Sequence, residues 1–306
     1  MHWDDLESEH DAAGSISSTW TPLSRAAGSK SVRLNRIQVE PGKRSTPLHS
    51  ESDEEIFFVL AGSGLSWQRE RGTDATYEIR SGDCLVHLPG EEAHTLVAGA
   101  DGLDVLAFGV GPEAALAYFP RLDAMRIGPA VLDVPDRHQW DLEGALPEPE
   151  LPAPSPRPRR IVNVDEVEAD SQDHGAFADT WWSLGAAAGS VRAGLHYDVV
   201  KPGKLNCPLH CHSAEEEVFV VLDGDGFCLL GDEEHGVRRG HVVARPPGTR
   251  VAHAFRAGES ELTLLVYGTR DPNDIAYYPR SNKINFRGVG LITRLERLDY
   301  WDGEPS

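Results

Sequence analysis

Two histidines one residue apart, His210 and His212, are followed by Glu217 and, much further along the chain, by His253. Three imidazole nitrogens and one carboxylate oxygen form a donor set that suits zinc, iron, nickel, cobalt or manganese. It leaves coordination positions open to water or substrate. A histidine alone reads as a surface or satisfied core residue, and His2, His10, His138, His174 and His235 are read that way. The His210 and His212 pair differs, because side chains two apart on a strand project to the same face. Glu215 and Glu216 compete with Glu217 for the carboxylate role. Glu217 is preferred because its spacing to Gly224 equals that of Glu55 to Gly62. Apart from Glu55 and Glu217, the acidic runs 52–55 and 214–217 read as solvated loops. Cys207 and Cys211 flank His210, but Cys211 lies between two same-face histidines and so points away. Structural thiols are expected there.

These residues need a strand, a short loop, a second strand and a returning strand to bring them together. The chain supplies short β-branched and aromatic runs such as Val218–Leu222 and Leu262–Tyr267, punctuated by Gly and Pro, which read as strands of a sandwich or barrel. Helical signals are confined to stretches such as Pro112–Ala117. An internal repeat decides the architecture. Pro41–His49 (PGKRSTPLH) matches Pro202–His210 (PGKLNCPLH) without a gap, Glu55–Gly64 matches Glu217–Gly226, and Ala117–Arg121 matches Ala276–Arg280. Between the copies lies Ala145–Arg160, with proline at nearly every second position. Proline lacks a backbone donor and favours extended conformation, so this segment reads as a semi-rigid linker. The expected division is 1–144, linker 145–160, and 161–306.

The second copy resembles the two motifs of the cupin family. The first is carried by Gly203, His210, His212, Glu217 and Gly224, and the second by Gly240, Pro246, Gly248 and His253. It departs by one extra residue before the first histidine and by two extra before the last. The resemblance implies an all-β fold of two tandem cupin barrels, the double-stranded β-helix or jelly roll. It also implies a divalent metal held by His210, His212, Glu217 and His253. The first copy matches through Gly42, His49, Glu55, Gly62, Gly82, Pro89, Gly90 and His94, but Glu51 stands where the second histidine should be. Either His49, Glu51, Glu55 and His94 form a harder site suited to manganese or iron, or that copy has lost its metal. The chain's ending resembles that of bacterial two-cupin proteins with no assigned reaction.

Strand alternation from Glu217 puts Phe219 and Val221 on the inner face, with Phe57 and Val59 as first-copy counterparts, as an apolar wall for a substrate. Arg245 and its counterpart His87 either turn inward as polar contacts or stay at the rim. Tyr118 and Tyr278 are expected to pack the barrel ends.

The 306 residues carry a formal net charge of −20 and only four cysteines. The charge argues against a nucleic-acid partner, which would require a clustered basic surface. No apolar run reaches the roughly 18–20 residues of a membrane-spanning helix, and the acidic opening is unlike a signal peptide. Free thiols and a cytoplasmic location are expected. A tandem of homologous barrels can pack pairwise, so a homo-oligomer is open by analogy. The resulting expectation is a metal-dependent enzyme acting on a small organic molecule, with a dioxygenase or other oxidoreductase preferred. The alternatives are a non-catalytic binder or sensor whose ligand is anchored by the metal, or a closed structural ion site.

Overall fold

The computed structural model describes residues 1–110, 115–128, 130–132 and 137–305. Nearly all regular structure is antiparallel strand. In the N-terminal half a sheet runs in the hydrogen-bonded order Glu9–Ala13, Ile16–Pro22, Val32–Val39, Ala93–Val110, Glu55–Glu70, Asp83–His87 and Ile161–Asn163, with Thr73–Arg80 also paired to Glu55–Glu70. A four-stranded sheet contains Ser50–Glu51 and Leu116–Phe119. The C-terminal half repeats the plan. Its six-stranded sheet runs Asp170–His174, Phe177–Trp182, Ala193–Val200, Leu262–Thr269, Glu217–Asp223 and Val242–Arg245. Smaller sheets hold Asp225–Leu230 with His253–Ala257, and Cys211–His212 with Ile275–Tyr278. The helical expectation at Pro112–Ala117 falls partly outside the described residues, and Leu116–Phe119 is a strand. The described helices are short, at Leu23–Ala26, Gln139–Gly144 and Leu184–Ala187. None is long and apolar enough to cross a membrane.

Alternation along the strands fills each barrel from its inner faces. Ile37, Val39, Phe57, Val59, Leu85 and Val105 form one interior, and Val200, Phe219, Val221, Phe255, Leu262 and Leu264 the other. The glycine that closes each first motif has a steric reason. Gly224 has φ +75°, and a Cβ there would sit 2.0 Å from the Glu261 carbonyl oxygen; Gly62 is in the same position against Gly102. Any other side chain would push the two strands apart.

The halves exchange edges. Ile161–Asn163 pairs with Asp83–His87 of the N-terminal barrel. Reciprocally, the Trp3 amide donates to the Gly240 carbonyl at 2.9 Å, and the Val242 amide to Met1 at 2.9 Å. A shared apolar core lies between the barrels, where Phe108 stacks on Tyr267 with centroids 4.8 Å apart. The acidic runs belong to this junction, so the expectation of solvated loops is overturned. Glu54 is buried and accepts from Ser190 Oγ and from the amides of Val191, Arg192 and Ala193. Glu216 is buried and accepts from the Lys30 and Ser31 amides and from Ser31 Oγ. A carboxylate out of water is tolerated when several donors saturate it. Here each barrel supplies the donors for the other's glutamate.

The proline-rich stretch is held against the N-terminal barrel. The Ser155 amide donates to Thr76 at 2.8 Å, Thr76 Oγ1 donates to the Pro152 carbonyl at 2.9 Å, and Arg157 pairs with buried Asp83 at 2.6 Å. All four cysteines are free.

Candidate metal centre

His210 bridges the backbone of His253, His212 sits on the Cys211–His212 strand, and Glu217 opens the Glu217–Asp223 strand. The structure brings the four side chains together, with one ligand atom from each lying within 4.8 Å of all the others. Glu217 Oε2 is 2.8 Å from His253 Nε2, 3.2 Å from His212 Nε2 and 4.0 Å from His210 Nε2. His212 Nε2, His253 Nε2 and Glu217 Oε2 are buried without a hydrogen-bond partner. Buried polar atoms are ordinarily satisfied, so this convergence of orphaned donors and acceptors fits a cation at its centre.

The groups behind the four fix their orientation. His212 Nδ1 lies 2.7 Å from Asp274 Oδ2, and Asp274 Oδ1 accepts from the amides of Ser213, Ala214 and Glu215. His210 Nδ1 is 2.9 Å from the Pro208 carbonyl. Such outer contacts hold the ring and leave Nε2 facing inward. Burial opposes charge on His212, but Asp274 and Glu217 outweigh it and push its pKa up to about 10. Burial, then repulsion from His253, brings His210 down to about 4. Burial would raise Glu217, yet the facing His212 and His253 hold it well below the ordinary carboxylate range.

Of the competing carboxylates, Glu216 is turned into the junction, and Glu215 pairs with Arg287 at 2.9 Å. Cys207 lies with its sulfur 3.7 Å from His210 Nδ1, and burial pushes its thiol well up, away from thiolate. Neither Cys207 nor Cys211 joins the donor group.

A cavity of about 320 Å³ opens beside the four residues, and His210, Glu217 and Phe219 form part of its wall. Val221 is packed into the barrel interior and does not line it. Arg245 stays outside it and donates to the Val251 carbonyl at 2.7 Å. Arg270 and Arg287, which strand alternation did not single out, do line it. Two glycines make the room: a Cβ on Gly268 would lie 2.6 Å from Glu215, and one on Gly194 would lie 3.3 Å from Arg270.

In the N-terminal barrel, ligand atoms of His49, Glu55 and His94 lie within 4.8 Å of one another, and Glu51 is not in that group. Glu51 instead accepts from Arg126 at 3.0 Å. Burial raises the pKa of both Glu51 and Glu55. His87 turns inward, stacks on His94 at 3.7 Å and contacts Glu92 at 2.9 Å. Burial takes it down to about 3. Phe57 packs edge-on against both rings. Tyr118 is exposed rather than packed, while Tyr278 lies on the His210 ring as Phe119 lies on His49.

The family model described as a cupin domain matches residues 196–267, which include all four candidate ligands. No curated protein matches the chain. Among solved structures, oxalate decarboxylase from Bacillus subtilis at pH 4.6 superposes with a TM-score of 0.60 at 14% identity, over 89% of this chain and 76% of that one. The formate complex of oxalate decarboxylase from Lactobacillus farciminis gives 0.61 at 13% identity, over 88% and 85%. At these identities the likeness is one of fold. The chain thus shares the fold of two jelly-roll barrels in tandem, and its second barrel carries the cupin domain match.

Proposed function

We propose that the C-terminal barrel is a metal-dependent active site for a small organic anion, with His210, His212, Glu217 and His253 as ligands. The observation that carries this reading is the convergence of buried, unpartnered ligand atoms beside a cavity that His210 and Glu217 help to line. A closed structural site would have no such opening. Iron, manganese, nickel, cobalt and zinc all suit three imidazoles and a carboxylate. When bound, the ion supplies Lewis acidity and a place for a substrate oxygen.

The chain's own residues do the rest. Asp274 and the Pro208 carbonyl aim His212 and His210. Phe219 dries one side of the cavity and strengthens electrostatic contacts within it. Arg270 has no carboxylate partner among the described residues, and its guanidinium suits a substrate carboxylate. The fold shared with oxalate decarboxylases keeps a lyase beside the oxidoreductase reading. Division into barrels 1–144 and 161–306 with linker 145–160 belongs to the same proposal. Four free thiols support a reducing, cytoplasmic location. Val221, Phe57 and Arg245 have no substrate contact in this reading.

Elemental analysis of protein purified without chelator or a nickel column tests it. Wild type should carry a divalent ion, and His212→Ala should lose one equivalent per chain. Metal-loaded wild type should then be screened with oxalate and other small acids for oxygen uptake and carbon dioxide release. Equal metal content in both proteins would remove the proposed centre.

A further inference from the structure

The cavity has a second polar feature on strands that carry none of the candidate ligands. Asp179 on Phe177–Trp182 and Asp198 on Ala193–Val200 both line it. The register places Asp179 opposite Val200 and Trp181 opposite Asp198, so the two carboxyls are diagonal neighbours on one face. They are 4% and 6% exposed, and Oδ1 of each has no hydrogen-bond partner. Among the described residues neither forms an ion pair. Their immediate neighbours are amides: Gln172 donates to the Asn206 carbonyl at 2.8 Å, and Asn206 Oδ1 accepts from the Phe255 amide at 2.9 Å. His196, Cys207, His210, Glu215 and Glu217 are the other titratable groups that share the cavity with the pair, and Arg270 and Arg287 stand at its wall.

Two carboxylates close together and out of water, without a cation, cannot both stay ionised; sharing one proton removes the repulsion. We propose that Asp179 and Asp198 share one proton at neutral pH and hold it toward the cavity as the acid for a bound substrate. Burial first, and then the neighbouring Asp179, raise Asp198 well above the ordinary range. The location of the substrate rests on the metal-centre reading, whereas the shared proton does not. In the transfer, the carboxyl O–H bond breaks and its electron pair stays on oxygen. The proton joins a lone pair of the substrate, and solvent water reprotonates the pair.

The N-terminal barrel lacks the pair at the equivalent positions. In matching register, Ser18 faces Val39 and Trp20 faces Ile37, so Ser18 and Ile37 occupy the places of Asp179 and Asp198.

Infrared difference spectra of the full-length protein at neutral pH, wild type minus Asp198→Asn, test the inference without metal or substrate. The expected result is a protonated-carboxyl band in wild type that is lost in the variant. It should shift within mixing time on transfer to D2O, because the pair faces the cavity. Asp179→Asn should remove the same band and serves if Asp198→Asn does not fold. Absence of the band in wild type, its survival in both variants, or exchange as slow as that of core amides would each overturn the proposal. Those outcomes leave the metal reading intact, while metal-free wild type that keeps the band would overturn only the metal reading.

Discussion

Where the C-terminal barrel has His212 the N-terminal barrel has Glu51, and the partners change with it. The register pairs His212 with Ala276 and Glu51 with Ala117, which makes Asp274 and Ala115 equivalent, as are Asn285 and Arg126. An imidazole backed by a carboxylate in one barrel is a carboxylate backed by a guanidinium in the other. The cavity changes as well. The Gln139–Gly144 helix covers the N-terminal barrel: Trp140 packs edge-on against Trp20, the counterpart of cavity-lining Trp181, and Glu143 pairs with buried Arg44 at 2.8 Å and with Arg121 at 2.6 Å. The C-terminal barrel has Leu205 where Arg44 stands and keeps its cavity. The N-terminal barrel is thus capped over a buried ion network, and the C-terminal barrel keeps an open cavity beside its candidate ligands.

The largest effect should come from breaking that network. Glu143→Ala leaves Arg44 buried and unpaired, which costs about 3–5 kcal/mol. Urea denaturation of the full chain measures this. A loss below about 1 kcal/mol would mean that the helix is not what closes the N-terminal barrel.

A smaller effect tests the backing of the ligands. Asp274→Ala removes the group that orients His212 and should weaken metal binding about 10–100-fold. Competition against a chelator reads the affinity. The N-terminal equivalent is already alanine, so Ala115→Ser should leave the affinity of the C-terminal site unchanged. Unaltered affinity in Asp274→Ala would show that His212 holds its orientation without help.

How much of this was legible beforehand depended on whether the partners were close in sequence. The convergence of His210, His212, Glu217 and His253 was readable because strand alternation and a repeated glycine spacing mark them locally. The tandem barrels were readable from the repeat. Asp274 was not, because it reaches His212 from a distant loop that no spacing rule connects to it. The burial of Glu54 and Glu216 was equally hidden, since their hydrogen-bond donors lie in the other barrel and an acidic run alone reads as solvated. Arg245 takes the second of the two places open to it, the rim, because its length lets it reach the Val251 carbonyl. Asp198 did leave a signal: the two copies align Ile37 with an aspartate that shares its strand face with His196 and Val200.

That substitution of aspartate for isoleucine gives the smallest and most discriminating expectation, a difference in pH dependence. Asp198 is raised well above its ordinary 3.8, by burial and then by Asp179. The folded chain therefore keeps a proton that the unfolded chain releases. Stability falls wherever the native state binds more protons, so wild type should lose stability as pH rises above about 4, by up to about 1.4 kcal/mol per pH unit. The loss ends once pH passes the raised pKa and the native carboxyl ionises as well. Asp198→Asn has no such proton, so the stability of wild type minus that of the variant should slope downward over this window and then level off. Other raised carboxyls, including Glu51 and Glu55, occur in both proteins and cancel. Denaturation midpoints across a pH series provide the difference. A flat difference would mean that both carboxyls ionise normally and would put the two barrels on the same electrostatic footing at this position.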